Sequence, residues 1–368
     1  MDGEVLLEAC PTPLAGRLAR LIRAEGPIPV ATFMSLALGD PEHGYYATRD
    51  PLGAAGDFTT APEISQIFGE LIGLCLVDHW LASGAPTPVH LVEAGPGRGT
   101  LMADLLRAAA VRPAFGEHLS LHLVETSPVL RERQRARLSA FAPVWHDRLA
   151  DALAAAEGGA LYFVANEFFD ALPVRQFERT REGWRERLVG LGERGSLAFG
   201  LSPVIPAPPI SEALRAAPVG SVAEISPLAR ALAGLVGDAL VGRPGAALVL
   251  DYGYAEEGAG DTLQAVRGHA YAPPLDAPGE ADLTAHVDFA ALARAGEAAG
   301  ALAHGPVPQG LFLERLGLAA RARRLARAGD GGAVLAARRL ADPSAMGTLF
   351  KALGLTGPGA PPLAGFAE

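Results

Sequence analysis

A doubly wound α/β chain with a mostly parallel sheet is what this sequence predicts, and three observations lead to it. Val92 to Leu106, VEAGPGRGTLMADLL, is an apolar strand that breaks into a glycine-rich turn and opens a helix. A second strand follows one unit later, with Leu119, Leu121 and Leu123 alternating along LSLHLVE. From Val89 onward strand-like and helix-like segments alternate, the pattern of a sheet with crossover helices. Strands are expected at 89–94, 119–125, 142–146, 160–166 and 246–251.

Ahead of the sheet, residues 13–38 read as two helices. Leu14, Leu18, Leu21 and Ile22 form one apolar stripe, and the pattern breaks at Gly26 to Pro29. A glycine-rich loop then runs into a long helix. Thr60 and Glu63 stand at capping-box spacing, with Pro62 where a missing amide does no harm. Asp57, Phe58 and Thr59 in that loop are less readily explained as scaffold, because loops of this composition often carry function.

Glycines at 95, 97 and 99 let the backbone turn tightly and approach a ligand, and they leave the first amides of the next helix facing the crevice. A dinucleotide fingerprint is spaced GxGxxG for a pyrophosphate. Here the glycines alternate as GxGxG behind Glu93, a spacing that resembles motif I of class I S-adenosyl-L-methionine (AdoMet) methyltransferases. An ordinary strand-to-helix turn is the competing reading. Glu125 closes the second strand 26 residues past Gly99, where a carboxylate can accept hydrogen bonds from both hydroxyls of a ribose. Alone it is equally a solvated strand-end acid. Ser127 and Pro128 read as N-cap and first helical residue, with Leu130, Gln134 and Leu138 along one face.

The fourth strand ends in FVANEFFDALPV, so Asn166, Glu167 and Asp170 reach the crevice at the strand carboxyl ends, where open α/β sheets bind ligands. Two carboxylates there can neutralise and orient a cationic acceptor and take up a proton. The alternative is a helix N-terminus whose dipole the acids complement. Phe168 and Phe169 pack on the acceptor or fill core. Residues 174–245 are expected as an insertion, with short antiparallel strands around the Glu182-Gly183 turn and PVIPAPPI as an extended linker. Glu224 within it fits an ordinary loop acid or a cleft wall. Asp251 and Tyr252 end the fifth strand at the crevice. His269, Asp282, His286 and Asp288 fit a hydrogen-bonded loop or substrate wall better than a metal site, because no third ligand stands at a zinc spacing.

At 368 residues the chain can hold a catalytic domain and an appendage. Its net charge of −10 argues against a nucleic-acid partner. No apolar run reaches the about 18 residues a membrane-spanning helix requires. Cys10 and Cys75 are too few for a disulfide framework and point to a reducing compartment. The acidic start, MDGEVLLEAC, has neither a basic n-region nor an arginine-rich presequence, which places the chain in a bacterial-type cytoplasm.

GPIPVATFMSLALGDPEHGYY, GDFTTAPEISQIFGELIG, VEAGPGRGTLMADLLR, NEFFDALPVRQF, LDYGY and LQAVRGHAYAPPLDAPGEADLTAHVDF together resemble the MidA-type family. Its eukaryotic members are mitochondrial complex I assembly factors with protein arginine methyltransferase activity. The resemblance runs in order from about residue 14 to residue 351, nearly the whole chain. It implies a seven-stranded Rossmann-like methyltransferase sheet, with AdoMet at Glu93, Gly95, Pro96, Gly97, Gly99 and Glu125. Residues 1–88 are then a helical region covering the cofactor cleft, and 89–368 the AdoMet-binding domain. The implied reaction is symmetric dimethylation of an arginine on a protein, a respiratory complex I subunit in the mitochondrial branch, by a chain that can form a homodimer. Glu167 and Asp170, with Asn166, are the expected catalytic groups, and Asp57 and Glu224 are outside candidates. Three other functions compete: a nicotinamide-dependent oxidoreductase, disfavoured by the GxGxG spacing, a noncatalytic AdoMet-binding assembly factor that keeps the cofactor fold, and an AdoMet-dependent methyltransferase of a small molecule.

Overall fold

The computed structural model describes residues 12–48 and 60–366. Cys10, Asp57, Phe58 and Thr59 lie outside the described residues. The central sheet is built from β1 (Val89–Ala94), β2 (Leu119–Val124), β3 (Val144–His146), β4 (Ala160–Asn166), β5 (Gly245–Tyr254), β6 (Leu302–Pro308) and β7 (Phe350–Thr356). They lie in the order β3-β2-β1-β4-β5-β7-β6. Only β7 runs against its neighbours, antiparallel to both β5 and β6. The two-residue segment Val287–Asp288 pairs in parallel with the end of β5.

The central strands β1, β4 and β5 are buried at nearly every position because both faces of the sheet are covered there. Along β4, Ala160, Tyr162 and Val164 enter one core with the helices Gln66–Ala82 and Thr100–Ala109. Leu161, Phe163 and Ala165 enter the other, against Leu149–Ala155, Pro227–Leu240 and Phe289–Ala298. The same period of two recurs on β5, where Leu248 and Leu250 face one core and Ala247 and Val249 the other. The sheet reversal between β1 and β4 leaves the carboxyl ends of β1, β2, β4 and β5 around one crevice.

A second, antiparallel sheet stands beside the first. It contains Arg175–Thr180, Gly183–Leu191, Leu197–Val204 and Val222–Ile225, joined by Ile28–Pro29 from the amino-terminal region. The helix Pro13–Glu25 starts with Thr12, whose hydroxyl accepts from the Ala15 amide at 3.1 Å, and with Pro13 in its first turn. Its stripe of Leu14, Leu18 and Ile22 packs with Phe33 and Met34 of Val30–Gly39 against Val174, Val189 and Leu283.

Thr60 and Glu63 do not form a capping box. Thr60 precedes a single turn, Ala61–Ile64, and its side chain makes no cap bond. The chain extends at Ser65, whose hydroxyl accepts from the Ile67 amide at 3.2 Å and begins the long helix Gln66–Ala82. Glu63 is thereby free to accept from the Thr100 hydroxyl at the head of the helix after the glycine turn.

Candidate functional site

The turn after β1 brings Gly95, Gly97 and Gly99 into positive φ, at 65°, 52° and 74°. Side chains are excluded there on two grounds. L-residues resist that backbone region, and a Cβ on Gly95 would lie 2.8 Å from Cδ2 of Phe168. Pro96 is buried in the turn, its carbonyl accepting from the Gly99 amide at 2.7 Å. Glu93, the penultimate residue of β1, is buried and its Oε2 has no hydrogen-bond partner. Burial, and then the neighbouring Glu125, pushes its carboxyl up to about 8.

Glu125 is held in place from the following helix. It accepts from the Ser127 amide at 2.8 Å and from Gln134 Nε2 at 3.3 Å. The same Gln134 nitrogen donates to the Gly97 carbonyl at 2.7 Å, and Gln134 Oε1 accepts from Trp145 at 2.7 Å. Gln134 thus ties the glycine turn to the acid expected at the ribose. A ligand with a cationic amino-acid end and a ribose matches this cradle: Glu93 offers an unpaired carboxylate oxygen, Glu125 a preoriented acceptor, and the glycine turn a side-chain-free floor.

The second cluster lies at the end of β4. Glu167 has φ 48°, a left-handed backbone in a bulky residue. Its Oε1 accepts from the Ala61 amide at 2.9 Å and from Asn166 Nδ2 at 3.2 Å. Asp170 is buried with Oδ1 unpartnered, and Asn166 Oδ1 is buried and unpartnered as well. Burial pushes Glu167 up to about 7 and Asp170 up to about 6. No helix follows; the chain turns into the strand Arg175–Thr180, so the helix-dipole explanation of these acids does not hold. Phe169 fills core, while Phe168 lies over Gly95.

The residue that organises this turn is Asp251 on β5. Its Oδ2 accepts from the amides of Phe168, Phe169 and Asp170 at 3.1, 2.9 and 3.2 Å, and Oδ1 from the Tyr252 amide at 2.9 Å. Burial, with Asp170 and Glu167 beside it, raises this carboxyl well above the usual range. Tyr46 donates to Asp282 at 2.9 Å, with Asp170 close enough to raise its hydroxyl further. Sequence reasoning placed Asp251 at the crevice but gave it no role, and passed over Tyr46 entirely. A charged residue ending a fully apolar strand was the available signal for Asp251, and a polar residue on the helix face shared by Leu130 and Leu138 was the one for Gln134.

The remaining candidates are held by scaffold bonds. Glu224 accepts from Gln176 Nε2 at 2.8 Å and from the amides of Thr262 and Leu263, both at 3.1 Å. Asp288 caps the helix Phe289–Ala298 through the Ala291 amide at 2.8 Å. The His286 amide donates to the Thr262 hydroxyl at 2.8 Å. His269 occupies a turn with φ 62°.

A family model described as "Putative S-adenosyl-L-methionine-dependent methyltransferase" matches residues 71–307. The chain is 37% identical over 378 residues to the mitochondrial homologue of protein arginine methyltransferase NDUFAF7 from Drosophila melanogaster, covering 92% of this chain and 85% of that one. It is 39% identical over 341 residues to mitochondrial protein arginine methyltransferase NDUFAF7 of Mus musculus, covering 85% and 76%. In structure it is similar to a "likely methyl transferase" from Burkholderia thailandensis bound to S-adenosyl-homocysteine, with TM-score 0.82 and 29% identity over 96% of this chain and 93% of that one. The expected bacterial-type cytoplasm is not upheld, because the fly, mouse and human relatives are mitochondrial proteins. A scarcity of thiols does not separate one compartment from another.

Proposed function

The chain belongs to this family of AdoMet-dependent methyltransferases, and we propose that the acceptor of its methyl group is an arginine guanidinium on a protein. The observation that carries the proposal is the charge of the crevice. Glu93, Asp170 and Asp251 are buried, with the half-buried Glu167 beside Asp170, and among the described residues none of the four is paired with a lysine, arginine or histidine. Buried carboxyls without cations are costly unless a positive ligand completes them. The fly and mouse relatives, both named protein arginine methyltransferases, support the same acceptor.

AdoMet supplies a methyl group already activated on a sulfonium. The protein's task is alignment, which is worth roughly 7–11 kcal/mol when reacting atoms are held in line. In this reading Glu93, Gly95, Pro96, Gly97, Gly99 and Glu125 hold the donor. Glu167 and Asp170, oriented by Asn166 and by the Asp251 turn, hold the guanidinium. An arginine side chain arrives protonated. As its nitrogen–carbon bond forms and the carbon–sulfur bond breaks, one nitrogen proton must leave, and Glu167 or Asp170 accepts it. Arrival of the cation ionises these acids first, since an adjacent positive charge lowers a carboxyl's pKa.

The described residues of the 1–88 region act as the cover of the cofactor cleft in this reading. The Ala61 amide bonded to Glu167 and the Glu63–Thr100 contact support that placement. The finer reading is symmetric dimethylation of an arginine on a respiratory complex I subunit. Mass spectrometry of protein incubated with isotope-labelled AdoMet and candidate subunits tests it: label on arginine is expected, and label only on lysine or on a small molecule overturns it. Glu167→Gln and Asp170→Asn are expected to keep AdoMet binding and cut turnover at least about 100-fold. If such inactive variants restore complex assembly in a deletion strain, the noncatalytic assembly role holds instead.

A further inference from the structure

Residues 318–341 carry six arginines and one acid, Asp330, in a chain whose net charge is −10. They form two helices, Leu318–Arg327 and Ala333–Ala341, packed against each other across an exposed turn. Leu318 and Ala322 face inward, and Arg321 clamps the first helix to the body by donating to Glu70 at 2.6 and 2.8 Å. The outward positions Arg323, Arg324 and Arg327 recur at helical spacing, and none has an ion-pair partner among the described residues. On the second helix Arg338 and Arg339 are exposed one turn from Val334 and Leu335. Those two aliphatic side chains are 54% and 74% exposed beside the turn that Arg327 enters.

We propose that this helical hairpin is a docking surface for an anionic lipid bilayer, its arginines on the phosphate headgroups and Val334 and Leu335 in the acyl boundary. Charge complementarity favours that occupant, because six arginines stand against one acid on this hairpin in a chain whose net charge is −10. Protruding aliphatic groups beside arginines are the composition of interfacial helices. The contact is peripheral: among the described residues no helix is long and apolar enough to cross a membrane.

Co-sedimentation of the full chain with vesicles tests the proposal. Binding is expected to phosphatidylcholine vesicles containing about one-third phosphatidylglycerol, to be absent from pure phosphatidylcholine, and to be released by salt as the charges are screened. Each arginine near such a surface contributes about five-fold, so the triple change Arg323→Glu, Arg324→Glu, Arg327→Glu should weaken binding at least about 100-fold. Leu335→Ser should weaken it further without altering the salt dependence. AdoMet affinity and melting temperature should be unchanged in both variants. Failure to bind the anionic vesicles, or undiminished binding by the folded triple variant, overturns the proposal. Binding to soluble polyglutamate with none to vesicles also overturns it, and assigns the hairpin to an acidic protein.

Discussion

Replacing Glu167 by glutamine is expected to stabilise the ligand-free protein at alkaline pH while it disables the reaction. The carboxyl is half-buried without a cation and is pushed up to about 7 in the folded chain, against about 4.3 in an unfolded one. Below pH about 4 both states hold the proton and nothing is lost. Between the two values the folded chain retains a proton that the unfolded chain has released, so stability falls as pH rises, by about 1.4 kcal/mol per pH unit. Above about 7 the loss is complete, at roughly 3 to 4 kcal/mol. Glutamine cannot ionise, and its amide oxygen can still accept from the Ala61 amide. Urea unfolding of both proteins at pH 5 and pH 8 measures the difference. The wild type should lose more stability than the variant over that interval, by a margin approaching roughly 3 kcal/mol as the single group dominates. Equal pH dependence in the two proteins would mean that Glu167 is already ionised and compensated, and the argument from buried, unpaired charge would collapse.

Glu125→Ala should weaken AdoMet by roughly 1.5–3 kcal/mol in calorimetry, the range for a hydrogen bond to a charged group, and binding of NAD by the wild type would contradict the donor site altogether. Asp251→Ala orphans the amides of Phe168, Phe169, Asp170 and Tyr252, and should lower unfolding stability by more than about 3 kcal/mol. A loss below about 1 kcal/mol would show that water replaces the carboxylate. His122, contacted by His90 at 3.4 Å and His146 at 3.1 Å across β1, β2 and β3, is pushed down to about 4, first by burial and then by those neighbours. Below pH about 6.5 the unfolded chain therefore binds a proton that the native chain refuses, so acid costs about 2 kcal/mol by pH 5. His122→Phe should flatten that acid limb in thermal melts, and an unchanged limb would place the sensitivity elsewhere.

The sheet was legible because its strands alternate between two buried faces and its first turn needs glycines, both of which are local properties of sequence. Ser127 was legible for the same reason, since its hydroxyl caps a helix by accepting from an amide three residues on. Thr60 and Glu63 show the limit of such reasoning, since the spacing of a capping box was present but the backbone extends at Ser65 and gives Glu63 to Thr100. At the end of β4 the acids could be read, but not their environment. What decides it is Asp251, more than eighty residues away in the chain and adjacent only through the parallel pairing of β4 and β5. No local pattern records such a contact.

That contact also explains the backbone of Glu167. A positive φ in a residue of this size costs of order 1–3 kcal/mol and persists only where the surroundings over-determine it. Three successive amides bound to one carboxylate oxygen supply the constraint, since Phe168, Phe169 and Asp170 can all point at Asp251 only if the chain reverses at Glu167. The reversal puts Glu167 and Asp170 on the same short turn, with Phe168 over Gly95 of the donor turn. A relaxed backbone at Glu167 would break the amide cluster and move Phe168 off the glycine. The strain, the buried Asp251 and the side-chain-free Gly95 are therefore one arrangement, in which the groups proposed to hold the acceptor are fixed against the turn proposed to hold the donor.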